Sequence, residues 1–187
     1  RIREWSMHST ASNIYGDELS FLKNLRDITP SCISLVIKEH TGFPGGRKFS
    51  FYKKIKNIGG ITILSSKESN WKLMKNSLFT ITLSGTTGFE TLLFRKRVFL
   101  FGRSWYENLI GIEKFKGWDS YTEFIDFCLK KRFLDDKEFQ KLSTQVGFIL
   151  KSSKNGYPLL NDKERLYDSE NLSVLSKSIK DFLSMNE

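Results

Sequence analysis

Apolar residues along this chain keep two rhythms, and the rhythms alternate. Leu19, Leu22, Leu25 and Ile28 recur at helical spacing and predict a helix over 17–28, with Asp17 and Glu18 in a first turn whose dipole favours acids. Pro30 ends it. The run Ile33-Ser34-Leu35-Val36-Ile37 is short and mostly apolar, the pattern of a strand covered on both faces. A loop over 38–47 follows, marked by Gly42, Pro44, Gly45 and Gly46. The same alternation then repeats. A helix is predicted over 49–58 and stopped by Gly59-Gly60, then a strand over 61–64 and a short helix over 69–76. A strand over 78–83, a helix over 88–94 and a strand over 97–101 complete the series.

Beyond residue 101 the pattern predicts helices alone. Ser120-Tyr121-Thr122-Glu123 has capping-box spacing and opens a helix through 131. A further helix covers 135–152, Asn155-Gly156-Tyr157-Pro158 makes a turn, and Leu172, Leu175, Ile179, Phe182 and Leu183 give an amphipathic helix over 171–184. Strands alternating with helices define an α/β chain. The expected architecture is a Rossmann-like open parallel sheet of about four or five strands with helices on both faces, plus C-terminal helices. Residues 1–119 form its core and residues 120–187 the C-terminal helical part of the same domain.

Length allows one domain with a full core, since the chain has 187 residues. Sixteen phenylalanines predict a bulky interior. Cys32 and Cys128 are too few for a disulfide framework and lack metal-ligand spacing, which points to a reducing compartment. No apolar run reaches the length of a membrane-spanning helix, and no signal peptide is visible. The chain opens on Arg1 and reads as a piece with further sequence upstream. Net charge is +9, which directs attention to anionic partners. Between residues 40 and 67 lie Arg47, Lys48, Lys53, Lys54, Lys56 and Lys67 and no acid, a local excess rather than a uniform coat.

The candidate chemistry sits where strands end. Ser84-Gly85-Thr86-Thr87-Gly88-Phe89-Glu90 follows a strand and opens a helix. Its glycines admit close approach of a ligand, its hydroxyls donate, and free amides at a helix start suit an anion. Thr87 and Glu90 equally have the spacing of a capping box, which would consume those donors. In an open parallel sheet, ligands bind beyond the carboxyl ends of strands. Three loops leave from such ends: 38–47 with Lys38, His40 and Arg47, 84–88, and 102–118 with Gly102, Arg103, Trp105 and Tyr106. Phosphate donors, positive charge and aromatic surface at one rim suit a nucleotide.

Lys38-Glu39-His40, Phe51-Tyr52, Ser84 to Glu90, Val98-Phe99-Leu100-Phe101-Gly102 and Trp105-Tyr106 together resemble the C-terminal half of the capsule polysaccharide biosynthesis proteins. That group includes Kdo-transferase-like enzymes of the GT-B glycosyltransferase fold, which is built of two Rossmann-like domains. His8-Ser9-Thr10 fits more loosely. The resemblance implies a glycosyltransferase whose donor-binding half lies here, working in capsule or surface polysaccharide synthesis and export. His40 falls at the family's His-Pro motif, which meets the donor phosphate, although Thr41 replaces the proline. His40 is thus the catalytic candidate. Ser84, Gly85 and Thr86, with Thr87 and Gly88, fall at the phosphate turn, and Glu90 falls where such enzymes hold a ribose hydroxyl. Lys38, Arg47, Gly102 and Tyr106 complete the substrate-binding set. Leu93-Phe94-Arg95-Lys96 lacks the glycine often found before the family's fourth strand.

The resemblance also implies partners. They are a nucleotide sugar, with a CMP-linked one among the candidates, a glycan or glycolipid acceptor, the other GT-B domain, and peripheral contact with the inner membrane from the cytoplasm. It implies no cofactor, metal or nucleic acid. Two other readings compete. One is a catalytically degenerate GT-B-like binding module. The other is a basic nucleic-acid-binding domain, for which no helix-turn-helix, zinc-finger or RNA-recognition pattern is present.

Overall fold

The computed structural model describes residues 17–39, 46–118, 121–130, 132–153 and 168–184, with the backbone alone for 152 and 179–184. In chain order the elements are α1 (Glu18–Ile28), β1 (Leu35–Lys38), α2 (Phe49–Ile58), β2 (Ile61–Leu64), α3 (Asn70–Asn76), β3 (Thr80–Thr82), α4 (Thr87–Leu92), β4 (Val98–Leu100), β5 (Ile112–Lys114), α5 (Tyr121–Lys130), α6 (Asp136–Ser152) and α7 (Ser169–Ser184). The predictions over residues 1–16 and 155–158, and the Ser120 cap, lie outside the described residues.

The alternation of strand and helix is present, and every strand pairing is parallel. α2 and β2 have the predicted bounds. α1 starts at Glu18 because Asp17 caps it, its carboxylate accepting the amides of Leu19 (2.9 Å) and Ser20 (3.0 Å). The far end is tied by Arg26, which donates to the carbonyls of Ile33 (2.6 Å), Thr29 (2.6 Å) and Pro30 (3.0 Å). Those carbonyls belong to the turn that leads into β1, so Arg26 sets how the chain enters the sheet.

Two features differ from the sequence reading. A fifth strand follows residue 101: β5 pairs in parallel with β4, in register from Val98↔Ile112 to Leu100↔Lys114. Ile-Glu-Lys is too short and too polar to show as an apolar run. The open edge of β4 makes it a strand, through bonds such as the Phe115 amide to the Leu100 carbonyl (2.8 Å). The five strands also form two hydrogen-bonded sets among the described residues, β1 with β2 and β3-β4-β5. A shared apolar core, rather than a continuous ladder, joins them.

That core is aromatic and centres on β4, whose three residues are all buried. Phe101 meets Phe21 of α1 edge-on at 5.1 Å, and Phe99 meets Phe124 and Phe127 of α5 at 4.9 and 5.1 Å. Edge-to-face pairs at these separations add to the burial of the rings themselves. Leu35, Ile37, Ile81 and Leu83 pack in the same cluster. On β1 and β2 the alternate positions, Val36 and Thr62, are exposed, so full cover on both faces holds for β4 and not for those two strands.

Lys96, just before β4, is buried, and its ammonium donates to the carbonyls of Met74 (2.8 Å), Lys75 and Ser77 at the end of α3. A cation suits the negative end of a helix. The described residues fall into two compact units, one up to residue 142 and the other from residue 143 on. In the second, Asp168 caps α7 by accepting the amides of Glu170 and Asn171, each at 3.1 Å.

Candidate functional site

Thr80 and Thr82 interrupt the apolar run of β3 at alternate positions, so both hydroxyls leave one face of the strand, toward α4. Thr80 meets the Thr91 hydroxyl at 2.8 Å, and Thr82 Oγ1 accepts the Gly85 amide at 3.0 Å. The carbonyl of Gly85 is taken by the Tyr106 hydroxyl. Both polar ends of Gly85 are therefore held by side chains. Thr82 is absent from the predicted site set. The period-two threonines in an apolar strand are the signal that finds it.

The capping box predicted at Thr87 and Glu90 does not form. Thr86 is the N-cap without a side-chain bond, and the Glu90 amide donates to the Thr86 carbonyl at 3.0 Å. The backbone turn satisfies that amide before the Thr87 hydroxyl is needed. Among the described residues the amides of Thr86, Thr87 and Phe89 meet no acceptor, and the Glu90 carboxylate meets no donor. Gly85 and Thr86 are exposed, and Ser84, Thr87 and Glu90 are half-buried. The turn thus presents amides and hydroxyls to solvent, a donor set suited to phosphate oxygens.

The loop after β4 reaches this turn because β3 and β4 are neighbours. The Gly102 amide donates to the Leu83 carbonyl at 2.8 Å, carrying the pairing past the strand ends. Tyr106 is fully buried beneath the turn, and burial raises its phenol pKa. Its ring lies against Gly88, where a Cβ would stand 2.5 Å from the hydroxyl oxygen and 2.9 Å from Cζ. Gly88 is small for the tyrosine below it. Trp105 is 60% exposed and packs on Phe89 at 4.9 Å, leaving an open aromatic face beside the turn.

The first loop is built differently. His40 lies outside the described residues. Lys38 ends β1, half-buried, with its ammonium 3.3 Å from the Glu39 carbonyl. Arg47 is engaged by Glu18 through two hydrogen bonds and lies 3.5 Å from Glu39. Tyr52 donates to Glu39, and burial followed by that carboxylate raises the Tyr52 pKa. These contacts run to α1 and α2, and they make Arg47 a brace for the loop. The structure brings the second and third loops together; of the first loop, the described residues Glu39 and Arg47 meet Tyr52 of α2 and Glu18 of α1.

Among the described residues, no three His, Cys, Asp or Glu side chains group as metal ligands. No helix among them is long and apolar enough to cross a membrane. A cavity of about 300 Å3 lies between β5 and α5, lined by Phe99, Glu113, Lys114, Lys116, Glu123 and Phe127. It contains none of the candidate residues, and its rim charges Lys116 and Glu123 pair with each other at 3.1 Å.

Parallel strands joined by helices, with donor groups gathered on the turns that leave β3 and β4, define a Rossmann-like α/β protein. The family described as capsule polysaccharide biosynthesis protein matches residues 6–122, and the chain belongs to that family. No curated protein and no solved structure matches it.

Proposed function

We propose that this chain is the donor-binding half of a glycosyltransferase that uses a nucleotide-activated sugar to build capsule or surface polysaccharide. Family membership supports the biosynthetic setting. The observation that carries the donor role is the Ser84–Gly88 turn, fixed at both ends of Gly85 and left with unclaimed amides at Thr86 and Thr87. Sugar transfer leaves negative charge on the departing nucleotide, and donors already in place stabilise it without reorganising. Ser84, Gly85, Thr86 and Thr87 take the phosphate, Glu90 a ribose hydroxyl, and Lys38 and Gly102 flank them. Gly88 and Tyr106 shape the site from behind, and Arg47, held by Glu18, stays with the first loop. His40 is the catalytic candidate, as a phosphate partner during departure. The base that activates the acceptor belongs to the other domain of a GT-B pair.

Thermal melts of the full-length protein with CMP-, UDP- and GDP-type nucleotides test this. A nucleotide-specific rise in Tm is expected, lost in His40→Ala and in Ser84→Ala. No rise with any nucleotide would refute the donor role.

A further inference from the structure

The loop after β4 carries two exposed side chains with no role so far, Arg103 and Trp105. β3 and β4 bring this loop to the donor turn. The Phe101 amide donates to the Thr82 carbonyl at 2.9 Å, and the Gly102 amide to the Leu83 carbonyl at 2.8 Å. Arg103 is the first residue beyond that ladder on one strand, as Ser84 is on the other. Among the described residues Arg103 alone of the arginines has no hydrogen-bond or ion-pair partner. Carbonyls hold Arg26 and Arg132, and carboxylates hold Arg47, Arg95 and Arg97. The amides and hydroxyls of the turn carry no net charge, and Arg103 is the unpaired guanidinium beside them. A guanidinium matches phosphate oxygens with two parallel N–H bonds.

Trp105 stands on a fixed base. The Glu107 amide donates to the Ser104 carbonyl at 3.0 Å, and the Ser104 amide donates back to the Glu107 carboxylate at 3.2 Å. The next side chain, Tyr106, is fully buried and bonded to Gly85. Phe89 props the indole at 4.9 Å, and Tyr106 meets it edge to face at 5.4 Å. The residue nonetheless stays 60% exposed. A single exposed apolar side chain is ordinary on a protein surface. This one is held by its own turn, two residues from an unpaired guanidinium and against the helix that follows the open amides. An aromatic face fixed in advance takes a flat ring with little further loss of freedom. The position of Glu90 says which ring. Phe89, which props the indole, is the neighbour of Glu90, the residue placed on the ribose. The ring joined to that ribose is the nucleobase, so the base rather than the transferred sugar falls to Trp105.

We propose that Trp105 stacks the nucleobase of the donor and Arg103 neutralises its phosphate, an assignment that rests on the donor reading of the Ser84–Gly88 turn. Titration of the full-length protein with CMP, UDP and GDP, followed by tryptophan fluorescence and calorimetry, tests it. Ribose 5-phosphate serves as the probe that keeps sugar and phosphate without a base. A nucleotide is expected to quench the fluorescence and ribose 5-phosphate is not. Trp105→Leu abolishes the quench and weakens nucleotide binding on the order of 10-fold, leaving ribose 5-phosphate binding where it was. Trp105→Phe keeps a stacking face and recovers most of the affinity without the quench. Arg103→Gln weakens nucleotide and ribose 5-phosphate alike, on the order of 10-fold, and flattens the salt dependence. Trp71→Leu, at the exposed tryptophan that packs on Phe94, changes none of these. Equal loss of both probes in Trp105→Leu overturns the assignment. So does a Trp105→Leu or Arg103→Gln protein that binds nucleotide as the native one does, and loss of binding in Ser84→Ala then shows that the donor turn itself stands. No binding of any nucleotide by the native protein removes the donor reading and this assignment together.

Discussion

The hydroxyl of Tyr106 donates to the Gly85 carbonyl while its ring fills the space where a side chain at Gly88 would stand. One buried residue thus sets both the orientation of the turn and the size of the residue that follows it. Gly88→Ala forces the alanine methyl against a ring that has no room to retreat, at a cost of roughly 1–3 kcal/mol. Tyr106→Phe loses one hydrogen bond, about 1 kcal/mol. The oxygen is the nearest atom to the new methyl, so Gly88→Ala costs less in the Tyr106→Phe background than in the native one. A double-mutant cycle by urea unfolding measures that coupling, and strictly additive effects would contradict it.

Arg95 occupies the left-handed region, with φ of 58°. It stays there with its guanidinium 4.3 Å from the Phe139 ring centre and 2.5 Å from Asp136. This is the segment in which the family resemblance leads one to expect a glycine. Both Arg95→Ala and Arg95→Gly lose the contacts, but only glycine is unstrained at this φ. Arg95→Gly is therefore expected to be about 1 kcal/mol more stable than Arg95→Ala, the reverse of the order in a helix. Denaturant midpoints of the two variants decide it.

Asp17 has its pKa lowered, first by the Ser20 hydroxyl and then by the Ser20 amide. A carboxylate whose folded pKa lies below its unfolded value stabilises the fold above the unfolded pKa. That stabilisation is lost as pH falls through the folded pKa. Asp17→Ala should therefore cost about 1 kcal/mol near neutral pH, and its melting curve should converge on the native one in strong acid. An unchanged gap at low pH would show that the charge plays no part in the cap.

Cys128 is fully buried, and burial pushes its thiol up to about 12, whereas Cys32 is exposed. Only thiolate reacts with disulfide reagents. At mildly alkaline pH the native protein should release one equivalent of chromophore promptly and a second only on denaturation. Prompt reaction of Cys128 would show that α5 opens readily.

The local pattern was enough for the elements whose reasons are local. α2 is bounded by an amphipathic repeat and Gly59, and β2 by a short apolar run. The start of α1 was legible because Asp17 acts within three residues of itself. The turn at Ser84–Gly88 was legible as a place where donors gather, since its small residues follow a strand directly.

The chain by itself determined the α/β alternation, the parallel pairing and the family. It did so because apolar period, turn residues and caps act over a few positions. Tertiary structure decided the rest. β5 became a strand because β4 had an open edge, not because Ile-Glu-Lys is strand-like. The Thr87–Glu90 cap gave way to a backbone bond from Glu90 to Thr86, a choice between two partners of nearly equal sequence distance. Arg47 turned to Glu18, and Tyr106 went beneath the turn rather than onto its surface. Each of these outcomes depends on which group arrives within hydrogen-bonding range, and the spacing of residues along a chain does not carry that distance.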